Sequence, residues 1–143
     1  MISAKVDTKE LQRVLKKLND AVGEVRKKGD IQIEASARRI ERNAKREVPV
    51  NMGRLKSSID VRGNNLEREV YTDVKYAPYV EFGTGSHASE YLSDKSQEMR
   101  NYAMQFYKNG KGRMPSKPYL FPAFESEKPK LLKNLKKVIR GIE

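Results

Sequence analysis

One apolar stripe running through the first third of the chain constrains the fold more than any other feature. Leu11, Leu15, Leu18, Val22, Val25, Gly29, Ile33, Ala37, Ile40 and Ala44 follow one another at alternating intervals of four and three. That rhythm puts all of them on one face of an α-helix. Asp7 or Thr8 can cap its start, and Pro49 stops it, because the proline ring disfavours helix at Val48. The expectation is one helix from Asp7 to Arg46, with Gly29-Asp30 as the place for a bend or break. About 40 residues would span about 60 Å at 1.5 Å per residue, more than a domain of this length can cover. Either the helix folds back as a hairpin, or part of its stripe docks on a neighbouring subunit.

The chain has 143 residues, enough for one domain over residues 1–143 but not for two. Its hydrophobic fraction of 37% against 34% charged predicts a thin core, suited to a domain completed by partners. No apolar run approaches the roughly 18 residues needed to cross a bilayer, so no membrane partner is expected. The opening MISAKVDTKE lacks the apolar segment of a signal peptide. Absence of cysteine excludes disulfides and thiolate metal sites, and a single histidine excludes histidine-rich ones.

The net charge of +11 favours an anionic partner: nucleic acid, a membrane surface or an acidic protein face. Residues 1–48 hold 13 Lys/Arg against 8 Asp/Glu, residues 49–124 hold 11 against 8, and residues 125–143 hold 6 against 3. Along the sequence the excess is spread out, with no detachable basic tail.

After the turn Pro49-Val50-Asn51-Met52-Gly53, the residues Leu55, Ser57, Ile59 and Val61 alternate with polar ones as in a half-buried strand. Leu55–Ser58 can instead form one helical turn leading into that strand. Gly63-Asn64-Asn65 is a hairpin signal, and Leu66, Val70, Thr72 and Val74 form the return strand. Leu92, Met99, Tyr102, Ala103 and Phe106 then predict a helix within 89–107, capped by Ser89 or Ser93 and ended by Asn109-Gly110. KNGKGRMPSK has the composition of a flexible basic loop. Pro118-Tyr119-Leu120-Phe121-Pro122 reads as an extended segment added to the hairpin. A last helix carries Phe124, Leu131, Leu132, Leu135, Val138, Ile139 and Ile142, with Ser126 as a candidate cap and Pro129 in its first turn or at a kink.

The stretch YAPYVEFGTGSH, residues 76–87, brings an acid, Glu81, within six residues of the single imidazole, His87. No nucleophile elbow, phosphate-binding GxxxxGK[ST] loop or dinucleotide fingerprint accompanies them, so neither catalysis nor a cofactor is expected. Read structurally, Ala77–Phe82 is a short helix with Pro78 in its first turn, and Gly83 ends it. Thr84 can bond nearby backbone, and Glu81 lies on the exposed side, available to an arginine or lysine.

Three blocks now carry a resemblance: EVPVNMGRLKSSI, YAPYVEFGT and KPYLFPAFESEKPKLLKNL. In this order they resemble the HK97 gp10-like family of tailed-phage proteins, whose blocks P-V-x-x-G-x-L-x-x-S-I, Y-A-x-Y-V-E-F-G-T and P-[FY]-L-x-P-A fall here on named residues. These are Pro49, Val50, Gly53, Leu55, Ser58 and Ile59; Tyr76, Ala77 and Tyr79, Val80, Glu81, Phe82, Gly83 and Thr84; and Pro118, Tyr119, Leu120, Pro122 and Ala123. Residues 86–117 depart from the pattern, being long, helical and basic.

The resemblance implies an α+β virion part without catalysis, joining head to tail or completing the tail, and located in the virion. It implies a homo-oligomeric ring, commonly a hexamer, between the head connector or stopper and the tail-tube or tail-terminator proteins. Genome DNA passes through such a ring without sequence-specific contact. Residues 86–117 are expected to be a mobile insertion in the free subunit, and Lys108, Lys111, Arg113 and Lys117 are candidates for DNA or partner contact. The rival expectation is a small basic nucleic-acid-binding protein, weakened because no aromatic residues interleave with that loop as a stacking platform.

Overall fold

The computed structural model describes residues 8–106 and 112–141. Its elements are α1 (Thr8–Glu47), α2 (Gly53–Ser58), β1 (Asp60–Arg62), β2 (Glu69–Tyr71), α3 (Ala77–Phe82), α4 (Gly85–Leu92), α5 (Gln97–Met104) and α6 (Phe121–Arg140). The architecture is α+β, as expected: a long N-terminal helix, a small antiparallel sheet, a short corner helix and a C-terminal helix.

Helix α1 runs unbroken for 40 residues. Gly29 does not interrupt it; the residue is buried where α1 meets Leu66 and α6, and a methyl there would make ordinary contacts, 3.6 Å from Leu66 and 3.9 Å from Leu135. Ser36 and Arg39 of α1 both reach Glu127 of α6, so α6 lies antiparallel along the second half of α1. The first half projects past it. Every residue from 12 to 20 is exposed, and Leu15, Leu18 and Val22 are 50%, 57% and 54% exposed. The stripe therefore divides into a covered half and an open half.

Gly53–Ser58 is the helical turn rather than strand, and only Asp60–Arg62 and Glu69–Tyr71 pair, in the register Asp60↔Tyr71, Val61↔Val70 and Arg62↔Glu69. The return strand is thus shorter than the alternation of Leu66 to Val74 suggested. Leu66 is diverted to α1 in a left-handed conformation, φ 72°, its N–H donating to Asp30 Oδ1 at 2.9 Å. Arg68 anchors the same loop, bonding Asp30 and Glu34 at 3.0 and 2.6 Å. Thr72 turns toward Ser58, 2.6 Å away, and accepts the Val74 N–H.

The segment through Tyr119 does not extend the sheet, which has two strands among the described residues. Its backbone N–H groups are consumed by the Glu81 side chain instead. The expected single helix over 89–107 is two, α4 and α5, separated by a turn, and Ser96 rather than Ser89 or Ser93 caps the second by accepting the Met99 N–H. Helix α6 begins at Phe121, with Pro122 in its first turn. Ser126 is consequently interior and no cap, and Pro129 lies inside the helix. Asn109, Gly110 and Ile142 fall outside the described residues.

One core cluster joins Ile40, Ala44 and Val48 of α1 and its exit to Leu55, Ile59, Val80, Tyr119 and Ala123. A second gathers Phe82, Leu92 and Ala103, with Tyr91, Met99, Phe106 and Phe121 packed around them.

Candidate functional site

The aromatic corner is built as the sequence predicts in outline: α3 is Ala77–Phe82, with proline in its first turn. Its outward role is reversed. Glu81 is 2% exposed, and among the described residues no arginine or lysine pairs with it. Its Oε2 accepts the N–H groups of Tyr119 and Leu120, both at 2.9 Å, and its Oε1 accepts that of Phe121 at 3.0 Å. The Leu120 and Phe121 N–H groups are among the donors that the start of α6 leaves without intrahelical partners, and that of Tyr119 immediately precedes them. The helix lacks a capping side chain of its own, so a carboxylate 40 residues upstream of Phe121 supplies it. Burial pushes the Glu81 carboxyl above the usual glutamate range, against the opposing pull of the three N–H groups.

The same corner grips the segment before α6. Thr84 N–H donates to the Met114 carbonyl at 2.8 Å, and Met114 N–H donates back to Thr84 Oγ1 at 2.7 Å. Lys117 N–H donates to the Val80 carbonyl at 2.7 Å. Gly83, at φ 77°, lets the two strands of chain touch: a Cβ there would lie 2.7 Å from Ser116 N. The Tyr119 hydroxyl bonds the Ala77 carbonyl at 3.3 Å and the Tyr79 hydroxyl bonds that of Phe106 at 2.9 Å. Burial raises the Tyr119 phenol well above its ordinary range and pushes that of Tyr91 up to about 12.

Phe82, 1% exposed, stacks with Tyr91, Tyr102 and Phe121 at ring separations of 5.6–6.4 Å. Beside these rings runs an open groove of about 530 Å³, walled on one side by Val70 to Lys75 and on the other by Tyr102, Phe106 and Phe121. Among the described residues its lining brings no acid and imidazole together. Both oxygens of Glu81 are committed to backbone, and His87 is not among its partners. Among the described residues no cluster of acids and histidine could hold a metal ion.

The other motif residues are less uniformly buried. Leu55 lies fully within the core, whereas a methyl added at Gly53 would meet nothing within 4 Å, so no steric need requires glycine there. Pro49 and Pro118 are half-buried, Pro122 is exposed, and Tyr76 is 37% exposed. Arg113 and Lys117 are exposed, while Lys108 and Lys111 lie outside the described residues.

One polar cluster is announced by no sequence motif. Ser36 and Glu127 are 1% exposed, and Glu127 Oε1 accepts from Ser36 Oγ at 3.1 Å and Arg39 Nε at 2.7 Å. The available signal was a polar residue at a core position in each helical stripe; two such positions predict each other.

The family described as "Bacteriophage HK97-gp10, putative tail-component" matches residues 9–83, just over half of the chain. Neither the curated proteins nor the solved structures compared with the chain gave a match.

Proposed function

The chain belongs to the HK97 gp10-like family of phage tail components, and from that premise we propose that it is a non-enzymatic part of the head–tail junction. In this reading identical subunits close a ring, commonly sixfold, between the head connector or stopper and the tail-tube or tail-terminator proteins, and genome DNA passes through it. Family membership carries the virion setting. No helix among the described residues is long and apolar enough to cross a membrane.

The observation that supports self-association is the open half of the α1 stripe. Leu15, Leu18 and Val22 continue, in phase, the same face that α6 covers farther along. Soluble monomers seldom leave such a row on a projecting helix. A neighbouring copy supplies the missing cover, and its burial would compensate the thin core. Size-exclusion chromatography with light scattering, on the protein alone and mixed with a tail-tube protein, tests this. The wild type is expected to assemble and the Leu15→Glu/Leu18→Glu variant to remain monomeric with a nearly unchanged melting temperature. A wild type that stays monomeric in both conditions would refute the ring.

A further inference from the structure

Charge that looks dispersed along the sequence is sorted by the fold. Residues 12–28 carry six Lys/Arg against two Asp/Glu, and residues 128–140 six against none, so these stretches hold ten of the eleven net positive charges. The antiparallel packing of α6 on α1 carries both to one end of the molecule. All twelve side chains are exposed. Of these twelve, only Lys28, 3.0 Å from Glu24, has an ion-pair partner among the described residues.

The α6 portion is the more coherent. Lys130, Lys133, Lys136, Lys137 and Arg140 recur at intervals of three and four, on a face turned away from Glu127 and Leu135, which meet α1. Like charges at those intervals destabilise a helix. The second half of α1 uses the same spacing to neutralise its cations, pairing Arg38 with Glu34 and Glu41, and Lys45 with Glu41. In α6 no acid intervenes. The helix dipole accounts for Lys137 and Arg140 in the last turn, but not for Lys130 or Lys133. Along this face lies a shallow trough of about 360 Å³, bounded by Pro129, Leu132, Lys133, Lys136, Lys137 and Arg140.

We propose that the outer face of α6 is a docking surface for the phosphate backbone of duplex DNA, indifferent to base sequence. Lys130 to Arg140 spans about 15 Å at 1.5 Å per residue, the axial rise of roughly four base pairs of duplex. A protein partner would want an apolar centre free of charge, whereas four of the six side chains bounding the trough are the cations Lys133, Lys136, Lys137 and Arg140. A phosphate backbone needs point charges and no stacking ring. The surface deepens the reading of a ring traversed by DNA and rests on it for the identity of the polyanion. It also moves the expected contact away from Arg113 and Lys117.

The test is fluorescence anisotropy of a short labelled duplex of arbitrary sequence with the full chain, at roughly 50–200 mM salt. Wild type is expected to bind with a steep linear fall of log affinity against log salt. Lys130→Gln/Lys133→Gln/Lys136→Gln/Lys137→Gln should flatten that slope by up to about 3.6, at about 0.9 per lost contact, and weaken binding about 10-fold or more at low salt. Arg113→Gln/Lys117→Gln should bind as wild type does. The quadruple variant should melt no lower than wild type, since it sheds repulsion. If it fails to fold, Lys133→Gln/Lys137→Gln must show about half the slope change. No binding by wild type, an unchanged slope in the α6 variants, or displacement by polyglutamate as readily as by DNA of equal charge would overturn the proposal; the last would mark an acidic protein as the partner. The Leu15→Glu/Leu18→Glu variant, expected to remain monomeric, should bind the duplex with the wild-type slope, so this result and the ring test can fail independently.

Discussion

Replacing Glu81 by alanine removes the acceptor for three backbone N–H groups at once. Tyr119 is 1% exposed, so its N–H cannot recover a partner from bulk water, while those of Leu120 and Phe121 are only partly buried. Each unsatisfied buried donor costs about 1–3 kcal/mol; the first carries nearly the full penalty and the other two a discounted one. Relief from burying a carboxylate offsets part of the sum. The expected loss for Glu81→Ala is about 3–5 kcal/mol, a large share of the roughly 5–15 kcal/mol available to a domain.

Glu81→Gln separates the hydrogen bonds from the charge. Its carbonyl can still accept from Tyr119 and Leu120, which share one oxygen in the native carboxyl. Only the Phe121 bond is lost, and the ionic desolvation disappears with it, so the loss should stay below about 1.5 kcal/mol at neutral pH. Urea unfolding followed by circular dichroism, read as midpoint shifts at constant m, measures both. The sign of the pH dependence follows from the raised carboxyl. The folded state holds its proton to higher pH than the unfolded chain. This group's contribution is therefore full below the ordinary glutamate value and declines as pH rises through the raised one. Glu81→Gln should lack that decline. Equal losses for alanine and glutamine, or an alanine variant within about 1 kcal/mol of wild type, would refute the capping role.

Two further outcomes follow from named contacts. Phe82→Ala should cost about 3–5 kcal/mol, because Phe82 fills the centre of the second cluster; an unchanged melting temperature would place the ring outside the core. Arg68 holds the Asp30 and Glu34 carboxyls below their usual range, chiefly by hydrogen bonding. The stability they contribute is present above the ordinary carboxyl values and lost as pH falls through the lowered ones. Melting temperatures scanned from neutral to acid pH should fall less steeply in Arg68→Gln than in wild type.

What the sequence made legible was periodic. The long helix, the corner helix and the hairpin declare themselves through spacing and turn residues, and each is present. What it hid were places where a side chain does the work of backbone. Tyr119-Leu120-Phe121 looks like a strand because it is aromatic and flanked by prolines, yet a strand needs backbone partners. Here Glu81 takes the N–H groups first, and the segment becomes a helix entrance. Glu81 itself was misplaced for the same reason: an acid on a short helix is ordinarily solvated, and no local pattern announces donors 38 to 40 residues away. Ser96 took the capping role because the chain turns after Leu92, a break that the apolar spacing of Leu92 and Met99 does not register.

The division of labour along α1 ties these observations to assembly. Its second half is fixed by α6, by the Ser36–Glu127–Arg39 cluster and by the Asp30–Arg68–Glu34 link to the hairpin loop. Its first half has none of these restraints and keeps the same apolar phase. A helix of this length is marginal without a packed face. The open stripe and the cations on its opposite side therefore place two different demands on partners: an apolar surface for Leu15, Leu18 and Val22, and an anionic one for Arg13, Lys16 and Lys17. One flat partner cannot meet both, because the two rows point in opposite directions around the helix. A copy of the chain on the stripe leaves the cations free, and a polyanion on the cations leaves the stripe free. The Leu15→Glu/Leu18→Glu variant should accordingly lose assembly while the single subunit keeps its DNA affinity, and a variant that loses both would mean that one surface serves both partners.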